Sequence, residues 1–164
     1  MTHSLLDDPL VQPATPARIA RKNKLNALNG STAFGLFVAR LGGCRITQGP
    51  RGMWLADNYR YNFPVAGAFT IGSVAITRQE WPDILDNRSW LFHHEEWHSF
   101  QYAACGGLPF IPLYVAAMGW SMLLTGDFWS RNPFERRAGL AIGGYVEHHL
   151  RRPLRLVGRG RRSE

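Results

Sequence analysis

Short β-like runs and longer helical stretches are segregated along this chain, and that segregation narrows the fold class more than any other feature. Arg45-Ile46-Thr47, Met53-Trp54-Leu55, Ala68-Phe69-Thr70-Ile71 and Val74-Ala75-Ile76-Thr77 are brief and rich in apolar or β-branched residues. Gly49-Pro50-Arg51-Gly52, Asp57-Asn58, Asn62-Phe63-Pro64 and Gly72-Ser73 punctuate them. Runs bounded in that way read as strands. From residue 79 onward the pattern turns helical. Strands first and helices afterwards predict an α+β fold. The short connections point to a small antiparallel sheet of three or four strands, followed by a helical part.

The helices have their own signals. Asn29 and Ser31 are candidate N-caps for a helix that runs through Leu36 and Phe37 to Leu41 and stops at Gly42-Gly43. Trp81-Pro82-Asp83 opens a turn or a short helix. Ser89 is a candidate N-cap for a helix from residue 90 to about 104, with Gly106-Gly107 as its stop. Residues 113–124 are apolar on every side. Asn132-Pro133 pairs a cap residue with a proline at the first helical position, and predicts a helix reaching about Leu150.

Both ends differ from the middle. Residues 1–26 are polar and Pro-rich and are expected to form a flexible arm; residues 27–150 form the domain; residues 151–164 form a basic tail with six Arg. The net charge is +7, and only Lys22 and Lys24 among the 19 basic residues are not Arg. Most of that charge sits in the tail and around Arg18, Arg21, Lys22 and Lys24, so a solvated surface is the ordinary reading. No helix-turn-helix signature or zinc-finger spacing accompanies it, so specific nucleic-acid binding is not expected. Residues 1–16 contain no apolar h-region, which makes a cytoplasmic protein with reduced thiols the default. Cys44 and Cys105 are too few for a disulfide framework and read as buried thiols.

Residues 108–125 carry no charge. Pro109 and Pro112 interrupt the start of this stretch, and it stands at the lower limit for a membrane span. Two readings remain: a buried central helix, or an apolar element that joins the Arg tail in contacting an anionic membrane.

Chemistry concentrates in His93-His94-Glu95-Glu96-Trp97-His98-Ser99-Phe100-Gln101. Within it, residues 94–98 fit His-Glu-x-x-His. Residues four apart share one face of a helix, so both imidazoles can reach one Zn²⁺. Glu95 follows the first histidine directly and can take a proton from a water on the metal. Gln101, one turn after His98, could bond the second ring nitrogen of that imidazole or touch a substrate. Asp127, Glu135, Glu147, His148 and His149 are the downstream candidates for a third ligand. Glu135 stands out one turn into the Asn132-Pro133 helix, although Asn132 and Glu135 also have the spacing of a capping box. On a continuous helix Glu147 would lie about 18 Å further along and could not serve the same site. His148 and His149 read as a solvated helix end. Cys105 is seven residues beyond His98, too far to share its metal.

These two stretches resemble the gluzincin branch of the zincin metallopeptidases. They are similar to small bacterial zincin-like domains that read His-Glu-x-x-His-x-x-Gln and then Asn-Pro-x-Glu-x-x-Ala, here residues 94–101 and 132–138. The strand before the helix suits the same arrangement, and the resemblance covers about residues 68–140. It implies Zn²⁺ held by His94, His98 and Glu135, Glu95 as general base, and a peptide or protein as substrate. The His or Tyr that stabilises the oxyanion in such peptidases has no assignable counterpart; Tyr102 and Tyr145 read as packing residues. A non-catalytic zinc-stabilised module that binds a membrane surface or a partner protein is the alternative.

Overall fold

A computed structural model describes residues 14–62, 64 and 67–151. Among them are six α-helices and four strands: α1 Pro16–Leu28, α2 Ser31–Leu41, β1 Arg45–Gln48, β2 Trp54–Asp57, β3 Ala68–Ile71, β4 Val74–Thr77, α3 Trp81–Asn87, α4 Ser89–Ala104, α5 Phe110–Thr125 and α6 Pro133–Ala138. The fold is α+β. The chain forms two units, one ending at Phe110 and one beginning at Ile111.

In the first unit the strands lie in the order β1-β2-β4-β3. β1 pairs with β2 and β3 with β4 antiparallel, as the short connections predict, but β2 and β4 run parallel. The sheet is therefore mixed rather than antiparallel. The hairpin β3–β4 inserts at the edge of β2 by its second strand, which reverses the pairing sense without any long crossover. Gly72, at φ +62, makes that hairpin possible: a Cβ there would stand 2.5 Å from the Ser31 carbonyl carbon and the Thr32 amide nitrogen.

All four residues of β4 are buried, because both faces of this central strand are covered. On one face Leu55, Ala68 and Ala75 join Met53, Trp81, Ile84, Leu91 and Phe92 in the larger core, under α3 and α4. On the other, Ala56, Val74 and Ile76 pack with Ala39 and the flank of α2. The period-two alternation of each strand divides its side chains between these cores. Asp57 ties β2 to α3: Oδ1 accepts from the Trp81 amide at 2.9 Å, and Oδ2 accepts from Arg45 at 2.7 Å.

Two expectations change. Residues 16–28, all but the last two inside the expected arm, form a helix capped by Thr15 with Pro16 at its first position. Its buried residues are Lys22 and Asn26, so polar groups dock it and no apolar stripe announces it. Lys22 Nζ meets Glu96 Oε1 at 3.3 Å, and Asn26 Nδ2 donates to Ser99 O and Oγ at 2.9 and 3.1 Å. Residues 1–13 and 152–164, including most of the basic tail, lie outside the described residues.

The second change is in the other unit, where the helix begun by Asn132-Pro133 ends at Ala138 instead of near Leu150. Gly139 follows at φ 88, a conformation that leaves the helix, and residues 140–150 are turns and irregular chain. Glu147 then folds back to accept from Arg136 at 2.8 Å.

Glu96 should be among the most costly surface-remote residues to remove. Arg51 Nε approaches both its oxygens, at 2.9 and 2.7 Å, and Lys22 shares it. Glu96→Ala leaves buried Lys22 without its counter-charge and is expected to cost about 3–5 kcal/mol in denaturant unfolding. Lys22→Met, which leaves the Arg51 pair in place, should cost much less.

Candidate metal centre

Helix α4 carries most of the site because of what it buries. Leu91, Phe92 and Tyr102 give it an apolar anchor, yet His94, Glu95, Glu96, His98, Ser99 and Gln101 are buried too. A helix does not bury six such residues unless each meets a partner or a ligand. Glu96 faces Lys22 and Arg51, and Ser99 faces Asn26 and Ser73. Glu95 Oε2 accepts from Thr70 Oγ1 of β3 at 2.7 Å. His93, by contrast, is exposed.

The two histidines of the motif point their ring nitrogens at each other. His94 Nε2 and His98 Nε2 are 3.1 Å apart, with the rings nearly perpendicular at 86°. Two nitrogens on one tetrahedral zinc, each about 2.0–2.1 Å from the ion, would lie about 3.3 Å apart, so the spacing fits. His98 Nδ1 is 2.9 Å from Gln101 Oε1. That oxygen can only accept, so Nδ1 carries the proton and Nε2 keeps the lone pair that a metal needs.

In the second unit Glu135 is buried in the first turn of α6. Asn132 caps that turn, its Oδ1 accepting from the Phe134 amide at 3.0 Å. The reciprocal half of a capping box is missing, because the Asn132 amide donates to Trp129 O instead. The Glu135 carboxylate receives Tyr114 Oη–H from α5 on Oε1. Among the described residues, His94, His98 and Glu135 are all buried, and together they are the kind of donor set that could hold a metal ion. Two imidazoles and a carboxylate are a donor set that suits zinc and leaves a fourth position open.

The other acidic and histidine candidates have different employment. Asp127 Oδ2 accepts from the amides of Trp129 and Ser130 and from Ser130 Oγ, closing the turn after α5. Burial opposes its ionisation, but those hydrogen bonds hold its carboxyl below the ordinary value. Glu147 pairs with Arg131 and Arg136. His148 and His149 are exposed. Burial and then Asp57 push the Cys44 thiol up to about 11, the behaviour of an unreactive structural cysteine. Tyr102 packs on Phe110 with ring centroids 4.5 Å apart, and burial alone raises its hydroxyl far above the ordinary range.

Thr70 and Tyr114 join the candidate residues without having been singled out in the sequence. Each had a faint signal. Thr70 is a hydroxyl at an inward position of an alternating strand. Tyr114 is the first of three hydroxyl residues, with Ser121 and Thr125, on one stripe of an otherwise apolar helix.

No family model, curated protein or solved structure matches the chain.

If Gln101 orients His98 for a metal, Gln101→Leu should weaken zinc binding about 10–100-fold in competition with a chromophoric chelator, with the fold intact by circular dichroism. Tyr114→Phe should weaken it in the same sense through Glu135.

Proposed function

We propose that the chain is a zinc-dependent hydrolase of the gluzincin metallopeptidase type, acting on a peptide or protein. His94, His98 and Glu135 would hold the ion, and Glu95 would act as general base. The observation that carries this reading is the pair of Nε2 atoms 3.1 Å apart on α4; Glu135, itself buried, is the carboxylate that would complete the donor set. The buried Glu95 carboxylate, adjoining His94 in the chain, adds the proton acceptor that hydrolysis requires.

Bound there, zinc would acidify a water and polarise the substrate carbonyl. The protein groups then divide the remaining work. Thr70 Oγ1–H fixes one oxygen of Glu95 and so limits how the carboxylate can turn. Glu95 takes the proton of the attacking water and delivers it to the leaving amine. Gln101 holds His98 in the tautomer that donates through Nε2, and Tyr114 orients the Glu135 carboxylate.

A non-catalytic zinc-stabilised module would need the three ligands but not Glu95, which separates the two readings. The zinc-loaded protein should cleave members of a mixed peptide pool, scored by mass spectrometry. Glu95→Gln should retain zinc and lose about 100-fold or more in rate. Absence of cleavage by the zinc-loaded wild type, or equal cleavage by Glu95→Gln, would defeat the hydrolase reading.

A further inference from the structure

Helix α5 is built inside out for a water-facing element. Its hydroxyl groups turn inward. Ser121 is fully buried and its Oγ accepts from the Arg131 amide at 2.8 Å; Thr125 Oγ1 donates to Ser121 O at 2.8 Å; Tyr114 donates to Glu135. The outward positions carry the large apolar groups: Leu113 is 50% exposed, Val115 59%, Trp120 56% and Leu123 67%. No charged residue interrupts residues 108–125. A water-facing helix normally shows the opposite pattern, with polar residues outward.

Length and charge indicate what covers this face. α5 has 16 residues, and no helix among the described residues is long and apolar enough to cross a membrane. At about 1.5 Å per residue it can lie along an interface but not span one. Positive charge is attached to its end: the Arg151 amide donates to Leu124 O at 3.0 Å. Arg151 is the first of six Arg in the last 14 residues, and from residue 111 onward there are nine Arg against Asp127, Glu135, Glu147 and Glu164. A second copy of a chain with net charge +7 would bring like charges together on this face; an anionic lipid surface complements them.

We infer that the outward face of α5 docks on an anionic membrane surface. Leu113, Val115, Trp120 and Leu123 enter the headgroup boundary, and exposed Arg151, tied to the helix end, meets the lipid phosphates. The aromatic body and indole N–H of Trp120 suit that boundary. This inference is independent of the metal.

Vesicle flotation of the full chain tests it. The wild type should float with vesicles of phosphatidylcholine and phosphatidylglycerol, bind phosphatidylcholine alone more weakly, and release as salt rises. The double variant Trp120→Ser, Leu123→Ser replaces exposed side chains and should keep the wild-type circular dichroism while losing about tenfold or more in partitioning. Three results would overturn the inference. One is a wild type that does not float with the anionic vesicles. Another is a double variant that binds them as well as the wild type does, leaving the arginines alone responsible. The third is a wild-type dimer in light scattering that the double variant converts to monomer, making a second copy the occupant.

Discussion

The buried polar arc of α4 is the constraint on which the rest of the first unit depends. A helix that turns His94, Glu95, Glu96, His98, Ser99 and Gln101 away from water loses their hydration and must replace it group by group. The replacements come from different parts of the chain. β3 contributes Thr70, the β3–β4 turn contributes Ser73, the 3-10 turn after β1 contributes Arg51, and α1 contributes Lys22 and Asn26. Arg51 reaches Glu96 from a left-handed backbone conformation at φ 56, which a non-glycine residue adopts at a cost of about 1–3 kcal/mol. The charge-assisted contact of Nε with both oxygens of a buried carboxylate offsets that strain. The layers around the sheet thus serve to present one helix with matched partners. The two imidazoles are the part of that arc whose facing nitrogens a metal would satisfy.

This explains what could be read in advance. The four strands and α4 follow from local composition and punctuation: short apolar or β-branched runs between turn residues for the strands, and boundaries near Ser89 and Gly106-Gly107 for the helix. The spacing of His94, Glu95 and His98 is visible because helical geometry alone puts the imidazoles on one face. Glu135 is visible through Asn132-Pro133, a local start signal. What sequence reasoning misses depends on contacts distant in the chain. α1 is held by a buried lysine and asparagine, residues whose ordinary place is the surface, so residues 16–26 read as part of an arm despite the Thr15-Pro16 cap. The parallel pairing of β2 with β4 is a choice of sheet edge that no residue type encodes. The early end of α6 turns on Gly139, a glycine that a helix can tolerate or obey. Thr70 and Tyr114 gain their roles only from the carboxylates they meet.

The same logic separates α5 from α4. Both are 16-residue helices, and neither shows ordinary amphipathicity. α4 buries polar groups that find partners across its own unit. α5 turns its few polar groups inward and leaves its apolar side to the surroundings. Stability alone would favour neither arrangement, since each departs from the pattern that minimises desolvation and exposed apolar area. Departures of this kind are where function is expected to reside: for α4, a metal and a proton acceptor; for α5, a surface to lie on.

Metal stoichiometry tests the central claim most directly. Elemental mass spectrometry of the purified chain, after reconstitution with zinc and removal of loosely bound ions, should find about one zinc per wild-type chain and a sharp loss in Glu135→Ala. Zinc-free wild type would contradict the account and leave the His94 and His98 pair as part of a purely polar interior. Full zinc in Glu135→Ala would contradict the assignment of the third ligand.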